Sequence, residues 1–214
     1  MQLHEEGVHV ISIDEMTGIQ ALERKYPTKT VKPDFVERRE FEYIRHGTQS
    51  LIGNFEVATG KVVLPYINAT RTEEDFARNI KNLISQDPEG KWIFILDQLN
   101  THKFETLVKL VTDQCNITEE LGKKGVDGIL KSQETRANFL SDPEHRIRFV
   151  YTPKHASWLN QIEIWFSILM RRLLKRGNFS SVEDLKDKIC KFINYYNITA
   201  RAFKWTYSGK PLTI

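Results

Sequence analysis

Residues 151–175 read YTPKHASWLNQIEIWFSILMRRLLK, and the rest of the chain is best understood outward from them. Leu159, Ile162, Phe166, Leu169 and Leu173 recur at spacings of three and four, which predicts a helix with one buried face entered near Ser157. Asn160, Glu163 and Ser167 fall on an adjoining face. Glu163 is the one acid in the run. Periodicity alone reads it as a solvated residue at the rim of a core-facing helix. Two acids upstream, each at the end of an apolar run, open a second reading.

Those runs are of strand length. Residues 91–96 (KWIFIL) form a continuous apolar segment suited to a strand covered on both faces, and it ends at Asp97. Residues 8–13 (VHVISI) are β-branched and end at Asp14, and residues 146–151 (RIRFVY) lead into the helix of Glu163. Residues 41–44, 50–57 and 61–66 are further strand candidates. Turns at His46-Gly47 and at residues 58–60 would join them in an antiparallel meander. Residues 23–37, interrupted by Pro27 and Pro33, read as a long connection. Thr72 and Asp75 resemble a capping box opening a helix with Phe76, Ile80, Leu83 and Ile84 on its apolar stripe, closed by residues 88–90 (PEG). Residues 104–111 read as helix, and residues 113–143 as an insertion with a helical run over 130–140. Residues 180–183 (SSVE) cap a last helix with Leu185, Ile189, Phe192 and Ile193 on one face, and the aromatic tail from residue 202 packs down. Strands first, then strands alternating with helices, predict an α/β fold: a mixed sheet flanked by helices.

The 214 residues suit one sizeable domain, and 40% hydrophobic with 11% aromatic content excludes a disordered chain. A net charge of +3 permits a polyanionic partner without arguing for one. Cys115 and Cys190 lack metal-type spacing and read as reduced thiols. No apolar run approaches a membrane span and the N-terminus carries no secretory pattern, so a cytoplasmic protein with no membrane partner is expected.

Asp14, Asp97 and Glu163 share a kind of position. The first two end strand-like runs, and the third lies in the first turns of the helix after one. Open α/β sheets gather ligand groups beyond the carboxyl ends of their strands. If the strands of Asp14 and Asp97 are neighbours, the two carboxylates lie side by side and resist ionising together unless a cation holds them. All-oxygen ligation favours Mg²⁺ or Mn²⁺. A third acid would complete sites for two ions roughly 3.5–4 Å apart, the arrangement that clamps both oxygens of a phosphodiester displacement. The alternative is that each acid caps a neighbouring helix or turn.

The segments ISIDEMTGIQALERKYP, WIFILDQLNTHKFETLVKLV and YTPKHASWLNQIEIWFSILMRRLLKRGNF resemble, in order, the three motif blocks of DDE transposases, in the bacterial insertion-sequence branch of the mariner-type superfamily of DDE endonucleases. The resemblance covers nearly the whole chain, to the closing FINYYN and FKWTY. It implies a ribonuclease-H-like fold with a five-stranded mixed sheet, and Asp14, Asp97 and Glu163 as the metal-binding triad for Mg²⁺ or Mn²⁺, two ions being expected. It implies nicking of transposon ends by water, then attack of the freed 3′-hydroxyl on target DNA, with a homodimer on the DNA and nucleoid association. Gln98 departs from the pattern, where relatives carry Asn. The 66 positions from Asp97 to Glu163 exceed the spacing of eukaryotic mariner-like relatives, and the excess is placed in residues 113–143. The helix-turn-helix domains that begin full-length transposases have no counterpart before residue 8, so the expectation is one catalytic domain over residues 1–214, from a truncated or split reading frame.

Other residues carry weaker signals. Asn100 and His102 follow Asp97 closely and are candidates for DNA contact or for steadying the metal shell, against a plain polar loop. Lys154 and His155 are candidate phosphate contacts, and Ser157 the helix N-cap. Trp158 reads equally as core or as a base-stacking group. Arg171, Arg172, Lys175 and Arg176 form either a solvated helix end or a phosphate-binding patch. Alternation turns Glu15 away from Asp14. Two other readings stay open: a non-catalytic DNA-binding or inhibitory transposase fragment, and a cellular ribonuclease-H-like nuclease or resolvase.

Overall fold

The computed structural model describes residues 2–27, 33, 36, 41–97, 103–154 and 156–204, excepting the side chain of Ser157. After a short helix α1 (Gln2–Glu5), strands β1 (Val8–Arg24), β2 (Tyr43–Glu56), β3 (Tyr66–Asn68), β4 (Lys91–Leu96) and β5 (Ile147–Tyr151) form one sheet in the order β3-β2-β1-β4-β5. The first three strands are antiparallel neighbours, and β4 and β5 join parallel to β1. The sheet is mixed, as the order of elements predicts, and five-stranded, as the resemblance implies.

Alternation along the strands sends side chains to two cores. Ile11 and Ile13 of β1, with Trp92, Phe94 and Leu96 of β4, pack beneath α2 (Glu73–Ile84), α3 (Glu105–Gln114) and α4 (Gln133–Leu140). Leu51 and Phe55 of β2 pack on the other face, beneath α5 (Gln161–Leu169) and α6 (Val182–Ile198). The segment read as an insertion contributes Leu130, Phe139 and Leu140 to the first core, and buried Arg136 ties it down by donating to the carbonyls of Lys103 and Leu130. The Thr72–Asp75 capping box is present at α2, and Ser181 caps α6 through the Asp184 amide.

Several boundaries differ from the sequence reading. Strand β1 does not stop at Ile13 but runs through Asp14 to Arg24, because β2 continues to pair with it after β4 has ended. His46-Gly47 is no turn. It lies inside β2 at a register shift, where Gly47 takes φ +124, while a second shift in β1 coincides with Gly18 at φ +65. The candidate strand at residues 61–66 is reduced to a bridge between Val62 and Phe55, and β3 begins at Tyr66. Helix α2 ends at Ile84, ahead of residues 88–90. Phe203 of the tail stacks on Phe55 at 4.8 Å; the later tail lies outside the described residues. Among the described residues no helix is long and apolar enough to cross a membrane.

Candidate active site

Parallel pairing of β1 with β4 runs from Val8 opposite Lys91 to Ser12 opposite Ile95. Asp14 and Asp97 each follow the last of these pairs by two residues, so neighbouring strands carry both acids out beyond the same end of the ladder. Glu15, pointing the other way, pairs with Arg71 and is thereby kept out of the group.

Glu163 arrives on α5, whose N-terminus is fastened to β1. Ser157 does not cap this helix: residues Ser157–Leu159 form a 3₁₀ turn, and the N-cap position belongs to Asn160. The Asn160 side chain makes no cap bond. It is fully buried and faces the sheet, where its Nδ2 donates to the carbonyl of Ile13 at 2.7 Å and its Oδ1 accepts from the Ser12 hydroxyl. Ser12 Oγ in turn accepts from the amide of Ile162 at 2.9 Å. A strand residue therefore satisfies a helix-end N–H that a local cap usually satisfies. Position 53 lets the helix come close. Gly53 is the β2 residue opposite Asp14, and a Cβ there would lie 2.8 Å from Phe166 Cε1 and 2.9 Å from Ile162 Cδ1.

The resulting electrostatics are unfavourable for ionised carboxylates. Burial pushes the Asp14 carboxyl up to about 7, and the charges of Asp97 and Glu163, with a hydrogen bond shared with Glu163, push the same way. The amide of Glu15, donating to Asp14 Oδ1 at 2.7 Å, opposes this in part. The chemistry suits a divalent cation: three hard oxygen donors, one retaining a proton near neutrality that a cation would replace. The fit is incomplete in its geometry, since among the described residues no three His, Cys, Asp or Glu side chains converge into a closed metal-binding cluster. Asp14 and Glu163 are in hydrogen-bond contact, whereas Asp97 acts on Asp14 through charge.

Residues 9–186 match the family described as DDE superfamily endonuclease. The chain belongs to that family. No curated protein matches it. Among solved structures, the Mos1 mariner paired end complex with Mn is 13% identical to this DDE-family chain, with a TM-score of 0.54 over 87% of this chain and 48% of the other. A pre-cleavage Mos1 transpososome is 11% identical, with a TM-score of 0.52 over 90% and 51%. The Mos1 Strand Transfer Complex is 11% identical, with a TM-score of 0.51 over 88% and 47%. At these identities the likeness establishes the fold, which is ribonuclease-H-like. The DDE-family chain spans about half the length of these structures.

Of the remaining candidates, Asn100, His102 and His155 lie outside the described residues, as does Gln98. Lys154 is exposed just after β5. Arg171 and Arg172 are exposed on a π-helical turn (Met170–Leu174) that continues α5, with Lys175 and Arg176 exposed beyond it. Arg171 Nε bonds back to the Ser167 carbonyl. Arg171 lies eight residues past Glu163, about 12 Å along a helix, so these cations stand apart from the acids. Trp158 is not core: its side chain is exposed. Sequence reasoning overlooked Ser12 and Gly53, and placed Asn160 beside Glu163 without a role. A serine in a buried strand alternating with isoleucines was the one available signal.

Proposed function

We propose that this chain is the catalytic domain of a divalent-metal-dependent DNA transposase, spanning residues 1–214 with residues 113–143 as an insertion packed onto it. Its reaction is nicking of transposon ends and transfer of the freed 3′-hydroxyl to target DNA. The observation that carries the reading is a buried Asp14 in hydrogen-bond contact with Glu163 and within reach of the Asp97 charge, its carboxyl raised to about 7 by burial first and by those two acids in addition. Asp14, Asp97 and Glu163 would hold Mg²⁺ or Mn²⁺, two ions in the full site, and the ions would supply charge stabilisation at the attacking and leaving oxygens. The solved relatives named above were captured as a paired end complex with Mn, a pre-cleavage transpososome and a strand transfer complex, which supports DNA as the partner and a dimer on it. Lys154, Arg171, Arg172, Lys175 and Arg176 would carry DNA flanking the reacting phosphate, with Asn100, His102 and His155 assigned by sequence to the same task.

The test is nicking of supercoiled DNA. Mg²⁺ or Mn²⁺ should support it, EDTA should stop it, and Asp97→Ala or Glu163→Ala should abolish it while leaving the circular dichroism spectrum intact. Cleavage that persists in either variant, or that ignores the metal, removes the triad from the mechanism. A folded wild-type chain that binds DNA without cutting it favours the non-catalytic fragment.

A further inference from the structure

Away from the acids, a hollow of about 710 Å³ opens between α2, α6 and the start of β1. His9 at its edge precedes Asp14 by five residues, about 17 Å along a strand, so the hollow is a separate site. The two cores meet in its walls: Ile11, Leu83 and Trp92 belong to one, Val62 and Ile193 to the other, and none is more than 3% exposed. The wall at Val62 is braced by Asn197, which donates to the Val62 carbonyl at 2.8 Å and accepts from its amide at 2.9 Å. Two acceptors stand at one end. An ionised Asp87 can only accept, so His9 Nε2, 3.0 Å away, donates to it, and the neutral ring turns the lone pair of Nδ1 towards Glu56. Trp92, stacked on the imidazole at 4.1 Å, fixes its plane. His9 Nδ1 and Glu56 Oε1 lie 3.9 Å apart, too far to bond directly, while Glu56 Oε2 accepts from the Thr59 hydroxyl.

We infer that this hollow binds a small apolar molecule carrying one protonated amine, with its body against the buried walls and its ammonium between Glu56 Oε1 and His9 Nδ1. The volume falls within the range of about 300–1,000 Å³ that small-molecule sites occupy. An ammonium has three donors and no acceptor, so one such group can serve both acceptors at once. Other ligands fit less well. An anion would meet the Glu56 carboxylate, and among the described residues no lysine or arginine lines the hollow to offset it, which sets nucleotides and free phosphate aside. A plain hydrocarbon would fill the apolar part but strip water from both acceptors without supplying a donor. The inference is independent of the proposed function, because neither the acids nor the DNA contacts enter it.

The probe is 4-butylbenzylamine, compared with 4-butylbenzyl alcohol and 4-butylbenzoate, which keep the body and change the head. Cys190 lines the hollow and Cys115 does not, and both are partly exposed. Alkylation of the two thiols of the full chain by iodoacetamide, read separately by peptide mass spectrometry, therefore reports occupancy against an internal reference. The amine should suppress alkylation of Cys190 and leave Cys115 unchanged. It should reach half-protection at about one-tenth of the concentration that the alcohol needs, since a hydrogen bond to a charged group is the stronger kind. The benzoate should not protect. Glu56→Gln keeps the shape and removes the charge, and should erase most of the advantage of the amine while the alcohol still protects. Equal slowing of both cysteines by the amine, or of neither, overturns the site. An alcohol or a benzoate as effective as the amine overturns the ammonium ligand in the wild type alone, whatever the folding of the variant. An advantage of the amine that survives undiminished in a folded Glu56→Gln protein overturns it too.

Discussion

Placing a methyl group at Gly53 should act as a shim under the helix that carries Glu163. The β2 backbone at Gly53 does not take a positive φ, so alanine costs little there in conformation. The obstacle is overhead: the new Cβ would lie 2.8 Å from Phe166 Cε1 and 2.9 Å from Ile162 Cδ1. Both neighbours are buried, Ile162 being 0% and Phe166 4% exposed. Carbon pairs settle at about 3.5–4.0 Å, so α5 must rise by roughly 1 Å. Overpacking of this kind costs about 1–3 kcal/mol. The rise also lengthens the Ile162 amide bond to Ser12 Oγ, now 2.9 Å, towards the limit of a useful hydrogen bond. Glu163 is the next residue along and moves with it. A catalytic group displaced by about 1 Å can lose on the order of 100-fold in rate.

Urea unfolding should show Gly53→Ala destabilised within that range. Metal-dependent nicking, measured at a temperature where the variant remains folded, should fall by about two orders of magnitude. Full stability would mean that α5 does not bear on the sheet at position 53. Lost stability with undiminished nicking would separate the seat of the helix from the placement of Glu163, and would refute the reasoning more deeply.

Two further outcomes follow from the same geometry. Asn160→Ala strands the Ile13 carbonyl and removes the acceptor of the Ser12 hydroxyl, and each buried group so stranded should cost about 1–3 kcal/mol. Ser12→Ala in the same background should add less than its separate effect, and additive losses in urea unfolding would show that the two do not act as one unit. The raised carboxyl of Asp14 ties stability to pH. Between about pH 4 and 7 the folded chain holds a proton that the unfolded chain has released, so in EDTA its stability falls as pH rises across that window, by on the order of 4 kcal/mol. On the proposed binding of Mn²⁺ at Asp14 the ion would displace that proton, so its stabilising effect should grow from about pH 6 to about pH 8. Thermal melts with and without Mn²⁺ measure both trends. Asp14→Asn should flatten them, and an unchanged slope in that variant would assign the proton elsewhere.

The sheet was legible where a strand is an apolar run bounded by breakers. KWIFIL gave β4 to the residue, and RIRFVY gave β5 within one. The capping of α2 was legible because its partners are three residues apart. What escaped depends on partners distant in sequence. Gly47 resembles a turn glycine because turns and bulges both use positive φ, and only the continued pairing of β1 with β2 distinguishes them. Ser157 resembled a cap because caps are usually local, whereas the acceptor for the Ile162 amide comes from Ser12, 150 residues away. Gly53 sits in an ordinary strand pattern, and nothing nearby in sequence tells that a helix lies against it. Asp14 and Asp97 stood out in sequence by their places at run ends and Glu163 by its place in the helix that follows another; the joint that brings Glu163 to Asp14 was not legible.

That joint works against the repulsion of the acids it brings together. Two ionised carboxylates about 4 Å apart in a partly shielded site repel by about 4 kcal/mol. The three hydrogen bonds among Ser12, Asn160, Ile13 and Ile162 contribute a net of about 1 kcal/mol each. The clasp is thus of the same order as the repulsion of the Asp14–Glu163 pair, before Asp97 is added, and the buried apolar face of α5 holds the helix beside it. A proton on Asp14 removes the repulsion, because a carboxyl with a value near 7 gives up little free energy by staying protonated at neutral pH, and it turns repulsion into the hydrogen bond with Glu163. A divalent cation would do the same work with opposite consequences for the proton. On this reading the clasp sets where Glu163 stands, and the proton or the cation decides whether it can stay there.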